Sequence, residues 1–220
     1  MPHQKSIMNG VSAVMAVLPP SKERLIIAVA GPPAAGKSTL AEALVETLNQ
    51  DISWQASLLQ MDGFHLDNLI LKKNGTLSRK GSPDTFDFEG FRSLLLRVRD
   101  QSKDYYAPTF DRSRDIAVAG SAIVRKEARI VVVDGNYLLL DKAPWNELSS
   151  CFDLRVLVEA PLSELRRRLI QRWLDNGYDE EGATARAELN DIPNAKLVLE
   201  RRGAVDLNFT MSTNSHAGLE

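Results

Sequence analysis

The stretch from Leu25 to Thr39 reads LIIAVAGPPAAGKST and decides the fold of this chain. Its apolar beginning predicts a buried β-strand, and the run then breaks into a glycine-rich loop that ends in a lysine and two hydroxyl residues. A helix-compatible segment follows, with apolar side chains at Leu40, Leu44 and Leu48. Strand, loop and helix in this order match the phosphate-binding pattern G-x-x-x-x-G-K-[S/T].

Each part of this loop has a physical task in holding a nucleotide. Gly31 and Gly36 let the backbone curl so that its N–H groups point at an anion, and the start of the helix adds the positive end of its dipole. Lys37 would reach the β- and γ-phosphates, and the Ser38 hydroxyl would complete the coordination of Mg²⁺. The residues that we expect to contact the nucleotide are Gly31, Pro32, Ala34, Ala35, Gly36, Lys37, Ser38 and Thr39. The alternative is a Gly/Pro turn that binds nothing.

Length and composition indicate one globular α/β domain. The 220 residues suffice for one such domain with insertions, and a net charge of −2 gives no electrostatic argument for nucleic acid or an anionic membrane as a partner. The single cysteine, Cys151, excludes an intrachain disulfide and a multi-cysteine zinc site, so a reducing compartment fits. The apolar run from Val11 to Leu18 is too short to span a bilayer. We therefore expect an N-terminal helical extension over residues 1–23, and a cytoplasmic protein.

Two further strands end in carboxylates. The run from Ala56 to Met61 precedes Asp62-Gly63-Phe64-His65, and we expect this strand to lie beside the phosphate-loop strand with Asp62 facing the nucleotide. The β-branched run from Ile130 to Val133 ends at Asp134, which is placed to approach Mg²⁺ directly or through water. The alternatives are a helix cap or turn for Asp62, a local hydrogen bond for His65, and a solvated strand end for Asp134.

The middle of the chain is expected to be irregular. Residues 71–81 are basic and lack apolar periodicity, which predicts a loop, and Ser82 to Phe88 leads into a helix with an acidic start. The aromatic and charged stretch from Tyr105 to Arg114 fits neither a helix nor an alternating strand, so we expect it to line a pocket. Residues 116–124 would form a small hairpin around Gly120.

The C-terminal part supplies a strand and an arginine-rich helix. After the strand from Leu154 to Val158, the spacing of apolar residues predicts a helix over 162–173 within a lid region, 162–178. Arg168 and Arg172 share a helix face, and one or both would lie over the transferred phosphoryl group. Beyond them we expect a helix over 180–190, a turn over 190–194, a strand over 205–209 and a frayed tail over 212–220.

Taken together, these parts are those that a small-molecule kinase requires, with Asp62 as the group that accepts the proton of a substrate hydroxyl. From Leu25 to Phe209 the chain resembles the phosphoribulokinase/uridine kinase family, which includes pantothenate kinases. Within Val133 to Tyr137, Asp134 replaces the glutamate more usual in the family. Besides the phosphate loop, the resemblance rests on Asp62-Gly63-Phe64-His65, Pro83-Asp84-Thr85-Phe86-Asp87, Pro108-Thr109-Phe110-Asp111 and Val133-Asp134-Gly135-Asn136-Tyr137.

The resemblance implies a doubly wound, five-stranded parallel sheet in a three-layer fold, ATP and Mg²⁺ as cofactors, and catalysis by Lys37, Asp62 and the lid arginines. It implies that a small hydroxyl acceptor meets Asp84, His65, Phe86, Tyr105, Pro108, Phe110, Asp111 and Arg112.

Within the family, the run from Asp134 to Leu140 and the segment Asn190-Asp191-x-Pro193-Asn194 most resemble bacterial proteins described as fructose transport system kinases or fructokinases. This resemblance favours a sugar acceptor. His65 and Leu66 stand where uridine kinases usually have tyrosine and arginine, which argues against uridine. A nucleoside or pantothenate kinase remains an alternative, as does a regulatory nucleotide switch, although no guanine-reading N-K-x-D segment is present. A homodimer is compatible with the sequence.

Overall fold

A central sheet organises the computed structural model, which describes residues 2–19, 23–50 and 55–210. The strands are β1 Leu25–Ala30, β2 Ala56–Gln60, β3 Tyr105–Asp111, β4 Ile116–Val124, β5 Ile130–Gly135, β6 Leu154–Glu159 and β7 Leu207–Thr210. The order β2-β5-β1-β6-β7 gives a five-stranded, all-parallel sheet, and β3 pairs with β4 in a separate antiparallel ribbon. The predicted sheet is thus confirmed. The expectation that the Asp62 strand lies beside β1 was wrong, because β5 lies between them.

Helices cover both faces of the sheet. They are α1 Pro2–Ala16, α2 Lys37–Gln50, α3 Asn68–Lys73, α4 Phe88–Arg97, α5 Leu162–Asp175, α6 Glu180–Arg186 and α7 Ile192–Glu200. One core contains the inner side chains of α4 and the segment around Trp145, and the other contains those of α1, α2, α5 and α7. The helix α1 packs on α2 through Ile7, Val11 and Val14, which are buried at helical spacing. No helix within the described ranges is both long and apolar enough to cross a membrane.

Four local expectations were wrong. Most of the stretch from Tyr105 to Arg114, which was expected to be irregular, forms the strand β3. Residues 71–73 of the basic segment are the end of α3, whose start is capped by the Asp67 side chain, and a 3₁₀ turn follows at Leu77–Arg79. The strand β4 pairs with β3 on both sides of Gly120, with a shift of register there, so the turn that connects the two strands lies at residues 112–115 and not at Gly120. The predicted turn over residues 190–194 is instead a π-helical turn, Ala187–Asp191, that runs directly into α7. The predicted frayed tail lies outside the described residues.

Arg24 joins three chain segments at the amino edge of the sheet, opposite the phosphate loop. The side chain is buried, with Nε donating to the Ala128 carbonyl at 2.8 Å and Nη1 to the Val98 carbonyl at 2.5 Å. Nη2 donates to the carbonyls of Arg125 and Lys126 at 2.7 and 3.0 Å. One guanidinium therefore satisfies backbone acceptors from the end of α4 and from the turn before β5.

The substitution Arg24→Met should lower the free energy of unfolding by about 3 kcal/mol or more, because it removes a buried guanidinium that donates to several backbone carbonyl groups. Urea unfolding followed by circular dichroism measures this loss. The exposed Arg201 provides the matched control, and Arg201→Met should change stability by less than about 0.5 kcal/mol. A loss below about 1 kcal/mol for Arg24→Met would contradict this role.

Candidate active site

The carboxyl ends of β2, β5 and β1 meet at one edge of the sheet. In the strand register Ala30 lies opposite Gly135 and Gln60 opposite Asp134, so the loops that follow these strands converge. A cavity of about 1260 Å³ opens along this edge and reaches under α5 and the start of α7. Parallel α/β sheets bind ligands at this edge.

The phosphate loop has the conformation that its sequence predicts. A Cβ atom at Gly31 would lie 2.1 Å from the Val158 carbonyl oxygen, so only glycine fits there. Gly36 has a φ of 98°, in the region that favours glycine, and Ala34 also has a positive φ, of 64°. The predicted residues that line the cavity are Ala34, Gly36, Lys37, Ser38 and Thr39, whereas Gly31, Pro32 and Ala35 are buried.

Asp134 and Ser38 face each other beside Lys37. Burial raises the pKa of Asp134, although Lys37 and a hydrogen bond from the Ser38 side chain act against this shift. Burial also lowers the pKa of Lys37, with Asp134 and Asp62 opposing. The Asp134 Oδ1 atom is buried without a hydrogen-bond partner. A carboxylate oxygen that lacks a partner beside a hydroxyl fits Mg²⁺, which takes few protein ligands and completes its shell with phosphates and water.

The substitution Asp134→Asn should raise the Mg²⁺ concentration that gives half-maximal activity by about tenfold or more, because an amide is a weaker Mg²⁺ ligand than a carboxylate. Activity measured over a Mg²⁺ titration at saturating ATP tests the prediction. Asp141→Asn, at an exposed position after β5, is the control. An unchanged Mg²⁺ requirement would show that Asp134 acts elsewhere.

Asp62 lies on a 3₁₀ turn, Met61–Phe64, at the end of β2 and forms an ion pair with Arg112. The distance from Arg112 Nη2 to Asp62 Oδ2 is 2.7 Å. Burial alone would raise the pKa of Asp62, but Arg112, His65 and Lys37 outweigh it and hold the pKa below its ordinary value. Asp62 is therefore ionised at neutral pH and can accept a proton.

His65 lies against Asp62 in an aromatic stack. Its Nδ1 atom is 2.7 Å from the Asp62 carbonyl oxygen, and its ring lies between Phe86 and Phe110 at centroid distances of 4.1 and 4.6 Å. A carbonyl oxygen only accepts, so Nδ1 carries the hydrogen. Burial lowers the pKa of His65, against an opposing effect of Asp62, so the ring is neutral and Nε2 is left as a hydrogen-bond acceptor.

The other residues that were predicted to contact the acceptor substrate divide into two groups. Phe110 and Arg112 line the cavity together with His65, and Phe86 is buried behind the His65 ring. Pro108 supports Asp62 indirectly, because its carbonyl oxygen packs so closely on Gly63 that a Cβ atom there would lie 2.2 Å away.

Three other predicted acceptor residues do not line the cavity. Tyr105 lies at the amino edge of the sheet, where its hydroxyl donates to Asp100 at 3.0 Å. Asp111 accepts hydrogen bonds within the β3–β4 turn, from Ser113 and Arg114. Asp84 forms an exposed ion pair with Arg79 at 2.6 Å.

The two lid arginines have different surroundings. Arg168 is held between the Glu164 carboxylate, 2.7 Å from Nε, and the Ala34 carbonyl, 3.1 Å from Nη1, so it ties α5 to the phosphate loop. Burial lowers the pKa of Arg172, and the charges of Asp191 and Asp62 oppose this shift. Arg172 therefore lies among the charged groups around Asp62.

Sequence reasoning missed several residues that line the cavity. Lys80 lies 5.0 Å over the Phe110 ring and pairs with Asp115 at 2.9 Å, so it holds the turn that carries Arg112. Asn136 follows Asp134, and its Oδ1 atom is buried without a partner. Others are Pro33, Trp173, Tyr178, Asp191 and Asn194. The polar run at 190–194 was the available signal, but it was interpreted as a turn.

Comparison with known proteins places this geometry in context. The model of the phosphoribulokinase/uridine kinase family matches residues 26–213. A solved structure from Silicibacter sp. TM1040, titled provisionally as a fructose transport system kinase, is 40% identical with a TM-score of 0.84. The match covers 93% of this chain and 98% of that one.

Two curated relatives extend the comparison. A Schizosaccharomyces pombe protein, named provisionally as uridine kinase C227.14, is 34% identical over 185 residues, 80% of this chain and 79% of the relative. The uncharacterized protein YggC of Escherichia coli (strain K12) is 34% identical over 209 residues, 94% of this chain and 86% of the relative.

Proposed function

Since the chain belongs to the phosphoribulokinase/uridine kinase family and is an ATP-dependent kinase of a small metabolite, we propose that its acceptor is a sugar. The observation that supports phosphoryl transfer to a hydroxyl is the ionised Asp62, which shares one cleft with Lys37 and the phosphate loop. The cleft therefore has a proton acceptor on the side where a hydroxyl would enter and cations on the side of the phosphates.

The chemistry follows from this arrangement. Phosphoryl transfer needs little covalent work from the protein, so positioning and charge neutralisation supply most of the catalysis. Asp62 orients the acceptor hydroxyl and takes its proton as the hydroxyl oxygen bonds to the γ-phosphorus of ATP, and the bond from that phosphorus to the oxygen of the departing ADP breaks. Lys37 and Arg172 balance negative charge on the transferred group, while Arg168 keeps α5 against the phosphate loop.

A divalent cation would be held by Ser38 and Asp134. When bound, Mg²⁺ would supply neutralisation of phosphate charge. The hydroxyl of Ser38 and the unpartnered Oδ1 of Asp134 support this assignment, because both are hard oxygen ligands of the kind that Mg²⁺ prefers.

The sugar assignment rests on the composition of the acceptor half of the cleft. Carboxylates, an amide and an aromatic ring line it, at Asp62, Asp191, Asn194 and Trp173. Such groups can pair with several hydroxyls while the ring packs on the carbon face of the sugar. The provisional title of the 40% identical structure points to the same class of acceptor.

A coupled assay of ADP release, with a panel of ketoses, aldoses, nucleosides and pantothenate, tests the proposal. We expect at least one sugar to raise ADP release well above the rate without acceptor. A nucleoside or pantothenate as the preferred acceptor would refute the sugar assignment and retain the kinase. No acceleration by any member of the panel, together with nucleotide-dependent capture of a protein partner, would favour a regulatory nucleotide switch.

A further inference from the structure

The junction between α6 and α7 brings polar side chains into the cleft. The phosphoryl-transfer mechanism described above gives these side chains no role. A π-helical turn, Ala187–Asp191, connects the two helices, and such turns recur at functional sites. Asp191 and Asn194 lie three residues apart, so they share one face, and both are buried and line the cavity. Two polar side chains thus reach the cleft from the α6–α7 junction.

Asn190 fixes this junction to the acceptor half of the cleft. Its Nδ2 atom donates to the Lys80 carbonyl at 2.8 Å, and its Oδ1 atom accepts from the Ser82 hydroxyl at 3.2 Å. The same loop carries the Lys80 ammonium, which lies over Phe110 beside His65. The junction that carries Asp191 and Asn194 is therefore bonded to the loop whose Lys80 side chain lies beside Phe110 and His65 in the cleft.

Asp191 keeps hydrogen-bonding capacity beyond its one structural contact. Its Oδ2 atom accepts from the Trp173 indole N–H at 2.6 Å, and a carboxylate can accept more hydrogen bonds than this one. The charged groups that act on Asp191 are Arg172 and Arg186. Arg172 also interacts electrostatically with Asp62, so it lies near both carboxylates.

We propose that Asp191, with Asn194 beside it, binds hydroxyl groups of the acceptor remote from the phosphorylated one and thereby selects the acceptor. The inference rests on the proposed function, because it needs an acceptor with several hydroxyls in this half of the cleft. Asp62 contacts the reacting hydroxyl, and Asp191 and Asn194 fix the other end of the molecule. The Trp173 indole holds Asp191 in place through its N–H hydrogen bond.

The substitution Asp191→Asn tests this role, because asparagine keeps an oxygen for Trp173 but replaces the other acceptor oxygen with a donor. With the best acceptor from the panel, we expect the acceptor KM to rise about tenfold or more, as for the loss of a hydrogen bond to a charged group. The KM for ATP should change less than about twofold. Glu200→Gln, at an exposed position on the same helix, is the matched control.

Monodeoxy analogues of that acceptor separate direct contact from a structural role. In the wild type, removal of the hydroxyl that meets Asp191 should raise KM about tenfold, whereas in Asp191→Asn the same removal should have little further effect. Equal losses in both proteins for every analogue, or an unchanged acceptor KM in Asp191→Asn, would overturn the inference while leaving the proposed function intact.

The panel also separates failure of this inference from failure of the proposed function. If a nucleoside or pantothenate is the best acceptor and Asp191→Asn raises its KM, the sugar assignment falls and the role of Asp191 stands. If no acceptor is phosphorylated, the proposed function and this inference both fall.

Discussion

Replacement of Lys37 by alanine should reduce kcat/KM by roughly a thousandfold or more, the largest loss that we expect from a single change in this chain. The Lys37 side chain lies in the cleft at the start of α2, next to Asp134 and within electrostatic reach of Asp62. Its removal takes away the cation that would neutralise the β- and γ-phosphates during transfer. Steady-state ADP release, measured over a range of ATP concentrations at saturating acceptor, gives kcat/KM for ATP and hence the loss.

The control for this change is Lys196→Ala, which removes an exposed lysine from α7. It should leave kcat/KM within about twofold of the wild type. The melting temperature of Lys37→Ala should not fall, because burial already disfavours the charged lysine. A folded Lys37→Ala protein with more than a tenth of wild-type activity would contradict the assigned role of the phosphate loop.

The substitution Asp62→Asn should lower kcat by about a hundredfold to ten-thousandfold, the range expected for loss of a general base. Asparagine has the same shape and can still accept from Arg112, so the geometry of the cleft should persist. The dissociation constant for ATP, measured by calorimetry, should change by less than about threefold. Turnover near that of the wild type would refute Asp62 as the proton acceptor.

The pH dependence of activity offers a second test of Asp62. Because Arg112, His65 and Lys37 together hold the pKa of Asp62 below its ordinary value, the active ionised form persists throughout the neutral range. Activity should therefore fall only under strongly acidic conditions, as Asp62 becomes protonated. The substitution Arg112→Gln removes a favourable charge and should move this acid limb to higher pH. If the pH at which activity falls on the acidic side does not change in Arg112→Gln, a group other than Asp62 controls that fall.

Local sequence was sufficient for the donor side of the site. The phosphate loop, β1 and α2 lie where LIIAVAGPPAAGKST predicts them, because the loop requirements are local: positive φ at Gly36 and no room for a side chain at Gly31. The carboxyl-end positions of Asp62 and Asp134 were also predictable, since apolar runs indicate buried strands and parallel strands share one binding edge.

The acceptor side depended on long-range contacts. Tyr105 belongs to the same aromatic stretch as Phe110, but β3 is an extended strand that carries Tyr105 to the amino edge and Phe110 to the cleft. The pattern of apolar residues did not reveal β3, because this strand forms by pairing with β4. The sequence pattern places the turn at Gly120, whereas the turn between the two strands lies at residues 112–115.

The segment at 190–194 shows the same limit. Its Asn, Asp and Pro residues are typical of turns, yet Pro193 lies in the first turn of α7, where a missing N–H group costs little. The Asn190 side chain bonds to Lys80 and Ser82, more than a hundred residues away in the chain, so local preference did not decide the conformation.

The sequence by itself therefore determined the phosphate loop, the parallel sheet and the position of the Asp62 carboxylate at the end of β2, because each depends on the backbone preferences and burial of consecutive residues. Only the tertiary structure decided which other side chains line the same cleft. Asp191, Asn194 and Trp173 come from the far end of the chain and meet Asp62 and His65 in one cleft. That meeting depends on hydrogen bonds and packing between distant segments, which no local pattern encodes.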